Sequence, residues 1–359
     1  MTKDKVLIAM SGGVDSSVAA WIALQQGLRC EGAMMRMFDP CALHIPREED
    51  SDPAADALAV ARRLQMPFHL FDACTEFSRT VMEPFIRCYE SGATPNPCIL
   101  CNRHMKFDFF LRKARELGCE YIATGHYARI RRDMESGRYL LYKAADASKD
   151  QSYVLACLNQ EQLAHTLLPL GELTKDQTRT IALEQGFVTA KKQDSQDICF
   201  VPDGDYVAFM EHYTGKNYEP GDFLDLTGKV VGRHRGAVCY TLGQRKGLGL
   251  AMGAPVYVCG KDMGRNTVTV GPNESLFAKA LLAEDWNWIP FPSLTEPMDV
   301  TARVRYNQKE QPAVVRPLEG GAAAVEFSQP QRAMTPGQAV VLYRGDLVVG
   351  SGTITNILP

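Results

Sequence analysis

Seven consecutive residues restrict this chain more than any other feature. Ser11-Gly12-Gly13-Val14-Asp15-Ser16-Ser17 follows a short apolar strand pattern, Lys5 to Met10. It leads into a helical pattern over about Ser16 to Gln26, with Val14, Val18, Trp21 and Ile22 on one face and Gly27 as its stop. Strand, glycine turn and helix together make an anion site. Gly12 and Gly13 let the backbone turn sharply and approach a ligand closely. The helix start offers free N–H groups and the positive end of its dipole. Ser11 and Ser16 supply hydroxyls, and Asp15 is placed to hold Mg²⁺ against a pyrophosphate. A Walker A loop would need Gly-x-x-x-x-Gly-Lys-Ser/Thr, which no Gly-Lys pair of this chain completes. The loop therefore predicts ATP cleavage between the α- and β-phosphates, that is, activation by adenylation.

The surrounding pattern is α/β. Strands at Arg29–Met35, Phe68–Phe71 and Tyr121–Thr124 alternate with helices at Pro53–Gln65, Glu76–Glu90 and Arg103–Leu117. This predicts a parallel sheet covered on both faces. Near residue 205 glycine and proline become frequent, and a small β-rich segment follows. From about Leu276 alternating strands (Val300–Tyr306, Ala322–Phe327, Ala339–Tyr343 and Leu347–Ile354) predict an antiparallel barrel or sandwich. Three domains are expected, 1–204, 205–275 and 276–359. The acidic stretch through residues 47–52 reads as a surface loop. No apolar run reaches membrane-span length, and no signal peptide is seen. Eleven cysteines without a secretory signal fit reduced thiols and a cytoplasmic location.

Two polar segments carry the cysteines of interest. Thr94-Pro95-Asn96-Pro97-Cys98-Ile99-Leu100-Cys101-Asn102 reads as a proline-framed turn entering a helix near Arg103, and Asp194-Ser195-Gln196-Asp197-Ile198-Cys199-Phe200 as a polar loop. Thiols entering a helix have lowered pKa values, so Cys98 and Cys101 are candidates for reactive thiolates. A lone CxxC has three uses: zinc, an iron–sulfur cluster or redox chemistry. No second CxxC or Cys/His pair completes a structural zinc site. Cys30, Cys119, Cys157, Cys239 and Cys259, within apolar runs, read as packing residues. With 39 basic against 42 acidic residues the net charge is −3, so any RNA contact must be local. The basic clusters are Arg129/Arg131/Arg132, Lys191/Lys192, Arg233/His234/Arg235 and Arg245/Lys246. Tyr240 and Tyr306 are candidate stacking surfaces for an opened loop nucleotide.

The chain resembles the tRNA-specific 2-thiouridylase family along nearly its whole length. The likeness rests on SGGVDSS, TPNPCILCN, KFDFFLRKA, YIATGHYARI, KDQSYVL, PLGELTK, DSQDICF, YTLGQRKGLG, the KDMGRNTVTVG run, VRYNQ and QPQRAMTPGQAVVLYRGD. The resemblance implies a PP-loop domain, a small central domain and a C-terminal β-barrel. It implies ATP on Ala9, Met10, Ser11, Gly12, Gly13, Val14, Asp15 and Ser16, on Met35 and on Gly125. Cys101 matches the catalytic nucleophile and Cys199 the persulfide carrier. Asn96, Pro97 and Cys98 match the segment beside the target base. His126, Lys149, Asp150, Gln151, Arg305, Tyr306 and Gln338 match tRNA-contacting positions. Many members have aspartate where this chain has Cys98.

The implied reaction is ATP-dependent 2-thiolation of the wobble uridine of tRNA. Adenylation turns the C2 oxygen into a leaving group, and a persulfide sulfur on Cys199 replaces it. Cys101 either frees the sulfur or resolves the intermediate, ending in a Cys101–Cys199 disulfide that a cellular thiol reductant reopens. A sulfur donor protein must reload Cys199. A rival reading has Cys98, Cys101 and Cys199 hold a 4Fe-4S cluster whose fourth iron carries hydrosulfide. An alternative acceptor, a different RNA or other sulfur acceptor for a thiolase paralogue, stays open at this point. So do two other classes, an adenylating synthetase of small metabolites and a non-catalytic RNA-binding protein with a structural metal.

Overall fold

The computed structural model describes residues 4–41, 43, 52–192 and 198–358. The segment Asp194-Ser195-Gln196-Asp197 and residues 47–51 lie outside them. The chain begins β1 (Lys5–Ala9), α1 (Val14–Gln25), β2 (Arg29–Arg36), α2 (Pro53–Arg63) and β3 (Phe68–Asp72). Two long helical runs follow. The first is α3 (Cys74–Phe77), π-helical turns over Ser78–Met82 and α4 (Glu83–Glu90). The second is α5 (Pro97–Leu100), a π-helical stretch Cys101–Phe109 and α6 (Phe110–Glu116), which feeds β4 (Tyr121–Ala123). A hairpin of β5 (Arg129–Arg132) and β6 (Tyr139–Tyr142), then α7 (Ser152–Leu155), α8 (Gln160–Ala164), β7 (Thr166–Leu167) and α9 (Lys175–Glu184), complete this part.

The first sheet has the order β3-β2-β1-β4-β7, with every pairing parallel. β1 lies at its centre because Val6, Leu7 and Ile8 are fully buried, the uniformly apolar composition that a strand covered on both faces requires. The helix starts have chemical causes. Pro53 opens α2 while Asp52 accepts from the N–H groups of Ala54 and Ala55. Thr174 and Gln177 form a reciprocal capping box at the start of α9.

α10 (Tyr206–Thr214) opens the next part, where the sequence pattern points to strands alone. It is followed by β8 (Gly221–Leu224), β9 (Val230–His234), β10 (Tyr257–Asp262) and β11 (Thr267–Gly271), a sheet of order β10-β11-β8-β9. The last part contains β12 (Phe277–Trp288), β13 (Met298–Arg303), β14 (Gln311–Pro317), β15 (Ala323–Arg332), β16 (Ala339–Arg344) and β17 (Leu347–Leu358). These run β12-β15-β14-β13-β16-β17, and β12 also pairs with β17, so the antiparallel barrel closes on itself. The β5–β6 hairpin extends the barrel sheet through the pairing of Tyr142 with Leu347. One apolar core accordingly contains Leu7, Phe107, Leu141 and Tyr153 together with Ile289, Val341, Tyr343 and Val348. The chain is thus an α/β PP-loop domain, a small β-rich central domain and a C-terminal antiparallel barrel.

Candidate functional site

The carboxyl ends of β1, β2 and β4 are neighbours in the sheet. That brings the 9–16 loop, Met35 and Gly125 to one edge, where open parallel sheets bind ligands. Gly12 has φ +72, and a Cβ there would lie 2.3 Å from the Pro53 carbonyl oxygen, so the position is closed to any side chain. The Ser16 hydroxyl donates to Gly13 O at 3.1 Å and accepts the Ser11 N–H at 3.2 Å, which fixes the curl of the loop. Ser17 is fully enclosed, bonding Gly13 O and the Thr189 hydroxyl, so it braces the loop from behind. A Cβ at Gly125 would come within 2.7 Å of both the Asp15 carbonyl carbon and the Ser16 nitrogen. The end of β4 therefore rests on the backbone of the anion loop.

Asp15 is not an idle carboxylate. Lys175 Nζ donates to both its oxygens, at 2.7 and 2.8 Å, and Tyr127 OH donates to one at 2.9 Å. Sequence reasoning missed Lys175 and Tyr127. The capping box around Thr174 announces the helix, but not that its first lysine reaches back 160 positions. The Lys175 side chain is 8% exposed and that of Asp15 30%. Lys175→Met is expected to destabilise the fold by about 3 kcal/mol, since it strands a charge in a largely desolvated site. A shift of the urea midpoint reads this, and a change below about 0.5 kcal/mol would mean that the pair does not brace the loop.

A row of contacts leads from the anion loop to the helix that carries Cys98 and Cys101. His126 follows Gly125, bonds the Thr124 hydroxyl through Nδ1 at 2.8 Å and packs against the Phe107 ring at 5.5 Å. Burial, with Lys106 assisting, pushes His126 well below its ordinary pKa, so the ring is neutral at physiological pH. Phe107 lies in the π-helical stretch that begins at Cys101. That helix starts at Pro97, not near Arg103, because Asn96 Oδ1 accepts from Ile99 N and Pro97 takes the first position. Cys98 and Cys101 are accordingly helical residues one turn apart. Cys101, expected in a polar turn, is buried in the core with Met105, Phe109 and Phe200, and its thiol contacts Met37 Sδ at 3.9 Å. Cys98 on the same turn is exposed.

Cys199 is held near Cys101 by the next residue. Phe200 is inserted among Phe77, Phe85 and Phe209, with ring centroids 5.1–5.6 Å away. Residue 199 is exposed, yet enough protein crowds its sulfur to push the thiol up to about 12, and Cys101 and Cys98 add to the rise. Burial likewise raises the Cys101 thiol, with Cys98 contributing. Lys106 opposes the rise at both thiols and is the shared cation of the centre, another residue that motif reading passed over. All eleven cysteines are free thiols. Of the packing cysteines, Cys30, Cys119, Cys157 and Cys239 are buried and Cys259 half-buried. Among the described residues, no three His, Cys, Asp or Glu side chains stand together as a metal site. Cys98, Cys101 and Cys199 do not form a cluster cradle in this arrangement, and Asp15 faces Lys175 rather than a second carboxylate.

The barrel walls the other side. Gln338 Nε2 donates to the carbonyls of Thr94 and Pro95, at 3.0 and 2.9 Å, clamping the segment that carries Cys98. Tyr306 OH donates to Asp150 O at 3.3 Å, and its ring meets Tyr153 edge-on. The Tyr306 phenol is raised by burial, with Asp150 adding to the effect. Arg305 Nη2 donates to Ala333 O at 2.8 Å and to the Thr335 hydroxyl at 3.4 Å. The Asp150 side chain is turned inward, accepting from Ala144 N, Ser152 N and Ser152 Oγ, so it shapes the 149–151 turn rather than reaching outward. Gln151 Oε1 accepts from Tyr127 N at 2.9 Å, and the Lys149 N–H bonds Asp146 O. Tyr240 and His234 are buried against Phe223, so Tyr240 is not an exposed stacking surface. Arg129 and Arg131 pair with Glu172, and Lys192 with Asp56. No helix among the described residues is long and apolar enough to cross a membrane.

Comparison with known proteins places this arrangement. Residues 4–203 match the family model described as the tRNA methyl transferase HUP domain, 207–272 its PRC-barrel domain and 278–354 an aminomethyltransferase beta-barrel domain. The tRNA-specific 2-thiouridylase MnmA of Moorella thermoacetica is 49% identical, over 98% of this chain and 99% of that protein. That of Clostridioides difficile is 46% identical, over 99% of both. Among solved structures, a 4-thiouridine synthetase–RNA complex with bound ATP is 18% identical with a TM-score of 0.38, covering 55% of this chain and 45% of that one, a likeness too distant to place any residue. With near half of its residues shared along almost its full length, the chain belongs to the tRNA-specific 2-thiouridylase family.

Proposed function

We propose that this chain binds ATP and tRNA and replaces the C2 oxygen of the wobble uridine with sulfur. The 9–16 loop, Met35 and Gly125 receive ATP, and Asp15 would hold the Mg²⁺ that the nucleotide carries once the Lys175 ammonium gives up one of its oxygens. The uridine oxygen attacks the α-phosphate, pyrophosphate leaves, and the base becomes an adenylate. The terminal sulfur of a persulfide on Cys199 then attacks C2 and expels AMP. Cys101 attacks the Cys199 sulfur, the bond to the transferred sulfur breaks, and 2-thiouridine and a Cys101–Cys199 disulfide result. A thiol reductant reopens that bond and a sulfur donor protein reloads Cys199.

The observation that carries this reading is the continuous row from Asp15 through Gly125, His126 and Phe107 to the helix of Cys101. Activation and sulfur delivery need to share one base, and a row of contacts from the anion loop to the helix that carries the thiols supports that reading. The target base enters beside Asn96, Pro97 and Cys98 after leaving its stack. His126, the 149–151 turn, Arg305, Tyr306 and Gln338 frame that entrance. Segments 1–204, 205–275 and 276–359 act as the catalytic, central and tRNA-contacting domains, and the enzyme works in the cytoplasm. Mass spectrometry of tRNA nucleosides from cells lacking the gene tests the reading. Loss of wobble 2-thiouridine is expected, and unchanged 2-thiouridine in a strain with no second such enzyme would refute it.

A further inference from the structure

Cys98 and Cys101 occupy one turn of one helix, yet one sulfur faces solvent and the other the core. Positions three apart on a helix bring Cβ atoms to roughly 5–6 Å, and a small local adjustment closes that to disulfide distance. Phe200, next to Cys199, packs in the same core cluster as Cys101, which brings the 199 segment to the helix of Cys98 and Cys101. An outer and an inner thiol separated by two residues is the arrangement of a redox pair, with the outer sulfur the one that meets a partner. The reaction proposed above creates a need for it. It leaves an oxidised bond on the buried Cys101, and Cys199 cannot accept the next sulfur until that bond is broken.

We propose that Cys98 is the resolving thiol of this centre, an inference that rests on the persulfide route above. The Cys98 thiolate attacks Cys101 Sγ. The Cys101–Cys199 bond breaks, Cys199 leaves as a thiolate and takes up a proton, and a Cys98–Cys101 disulfide forms. No net oxidation occurs in this exchange. A dithiol reductant from solution then attacks the exposed Cys98 sulfur, delivers two electrons and leaves as its own disulfide, returning both thiols. Because Cys98 is tethered to Cys101, its effective concentration is of order millimolar, well above that of a protein reductant. Cys199 is thus released for reloading before any external partner arrives. Exposed disulfides are also the more readily reduced, which suits Cys98 as the exit for oxidising equivalents.

The test is a single turnover with Cys199 preloaded as persulfide and no reductant, quenched by rapid alkylation and followed by peptide mapping. The unsubstituted protein should yield a Cys98–Cys101 disulfide and an alkylated Cys199. Cys98→Ser and Cys98→Asp should stop at Cys101–Cys199. With a thioredoxin-type dithiol protein as reductant, their steady-state rate divided by first-turnover amplitude should fall at least about tenfold. A Cys101–Cys199 disulfide in the unsubstituted protein, with Cys98 alkylated, would overturn the proposal and leave the persulfide route standing. Product without any disulfide, in either the parent or the variants, would overturn the persulfide route and the resolving role with it.

Discussion

Cys101→Ser should abolish sulfur transfer while leaving tRNA-dependent pyrophosphate release in place. Serine matches the thiol in size, so the core around Met105, Phe109 and Phe200 stays filled. What is lost is the nucleophile, for a serine hydroxyl is far less acidic and far less nucleophilic toward sulfur than a thiol. Removing a nucleophile of this kind costs at least about 10³-fold in rate. The measurement pairs two readouts on one sample, pyrophosphate from the adenylation step and 2-thiouridine from the transfer step. Collapse of the second alone places Cys101 after activation. If 2-thiouridine still forms within threefold of the parent rate, Cys101 is a packing residue and the sulfur chemistry lies elsewhere.

Gly125→Ala is expected to act one step earlier, on nucleotide binding, so that pyrophosphate release and 2-thiouridine fall together. A methyl group there meets the Asp15–Ser16 peptide bond, at 2.7 Å from both the Asp15 carbonyl carbon and the Ser16 nitrogen, and backbone cannot rotate aside as a side chain can. The anion loop has to move, and overpacking of this sort costs about 1–3 kcal/mol. Expressed in the loop's task, that is about a tenfold to hundredfold loss of ATP affinity. Calorimetric titration with ATP checks it, alongside circular dichroism to show that the sheet survives. ATP affinity within threefold of the parent, with the fold intact, would show that the end of β4 does not set the loop. Cys101→Ser and Gly125→Ala therefore separate the two halves of the reaction.

Which parts of this were legible in the residues follows a physical division. The anion loop was, because strand, glycine pair and helix are local and each leaves its own period or turn signal. Four of the six barrel strands were, because alternation over six residues survives without knowing the partners, whereas β12 and β14 were not. The thiol helix was misplaced by six residues. Thr94 to Asn102 is polar enough to read as a turn, and its prolines read as framing that turn, whereas Asn96 caps a helix that Pro97 opens. With the helix start moved, Cys101 changed from a loop thiol to a core residue. Long-range pairings left no trace at all. Nothing near Lys175 signals Asp15, and nothing in Arg129–Tyr142 signals a strand pairing with Leu347. Tyr240 misled for a related reason, since a glycine-rich setting looks exposed until Phe223 and His234 are seen to enclose the ring.

The hairpin that continues the barrel sheet bears on how the chain is made. Leu141 and Tyr153 are completely enclosed, and part of what encloses them is Ile289, Tyr343 and Val348. The nucleotide-binding part leaves the ribosome first, yet its core lacks its final wall until the last strands have been synthesised. Through that interval the growing chain carries an open apolar face. A nascent protein of this design completes its first domain last, and a message truncated before β17 yields no finished catalytic unit.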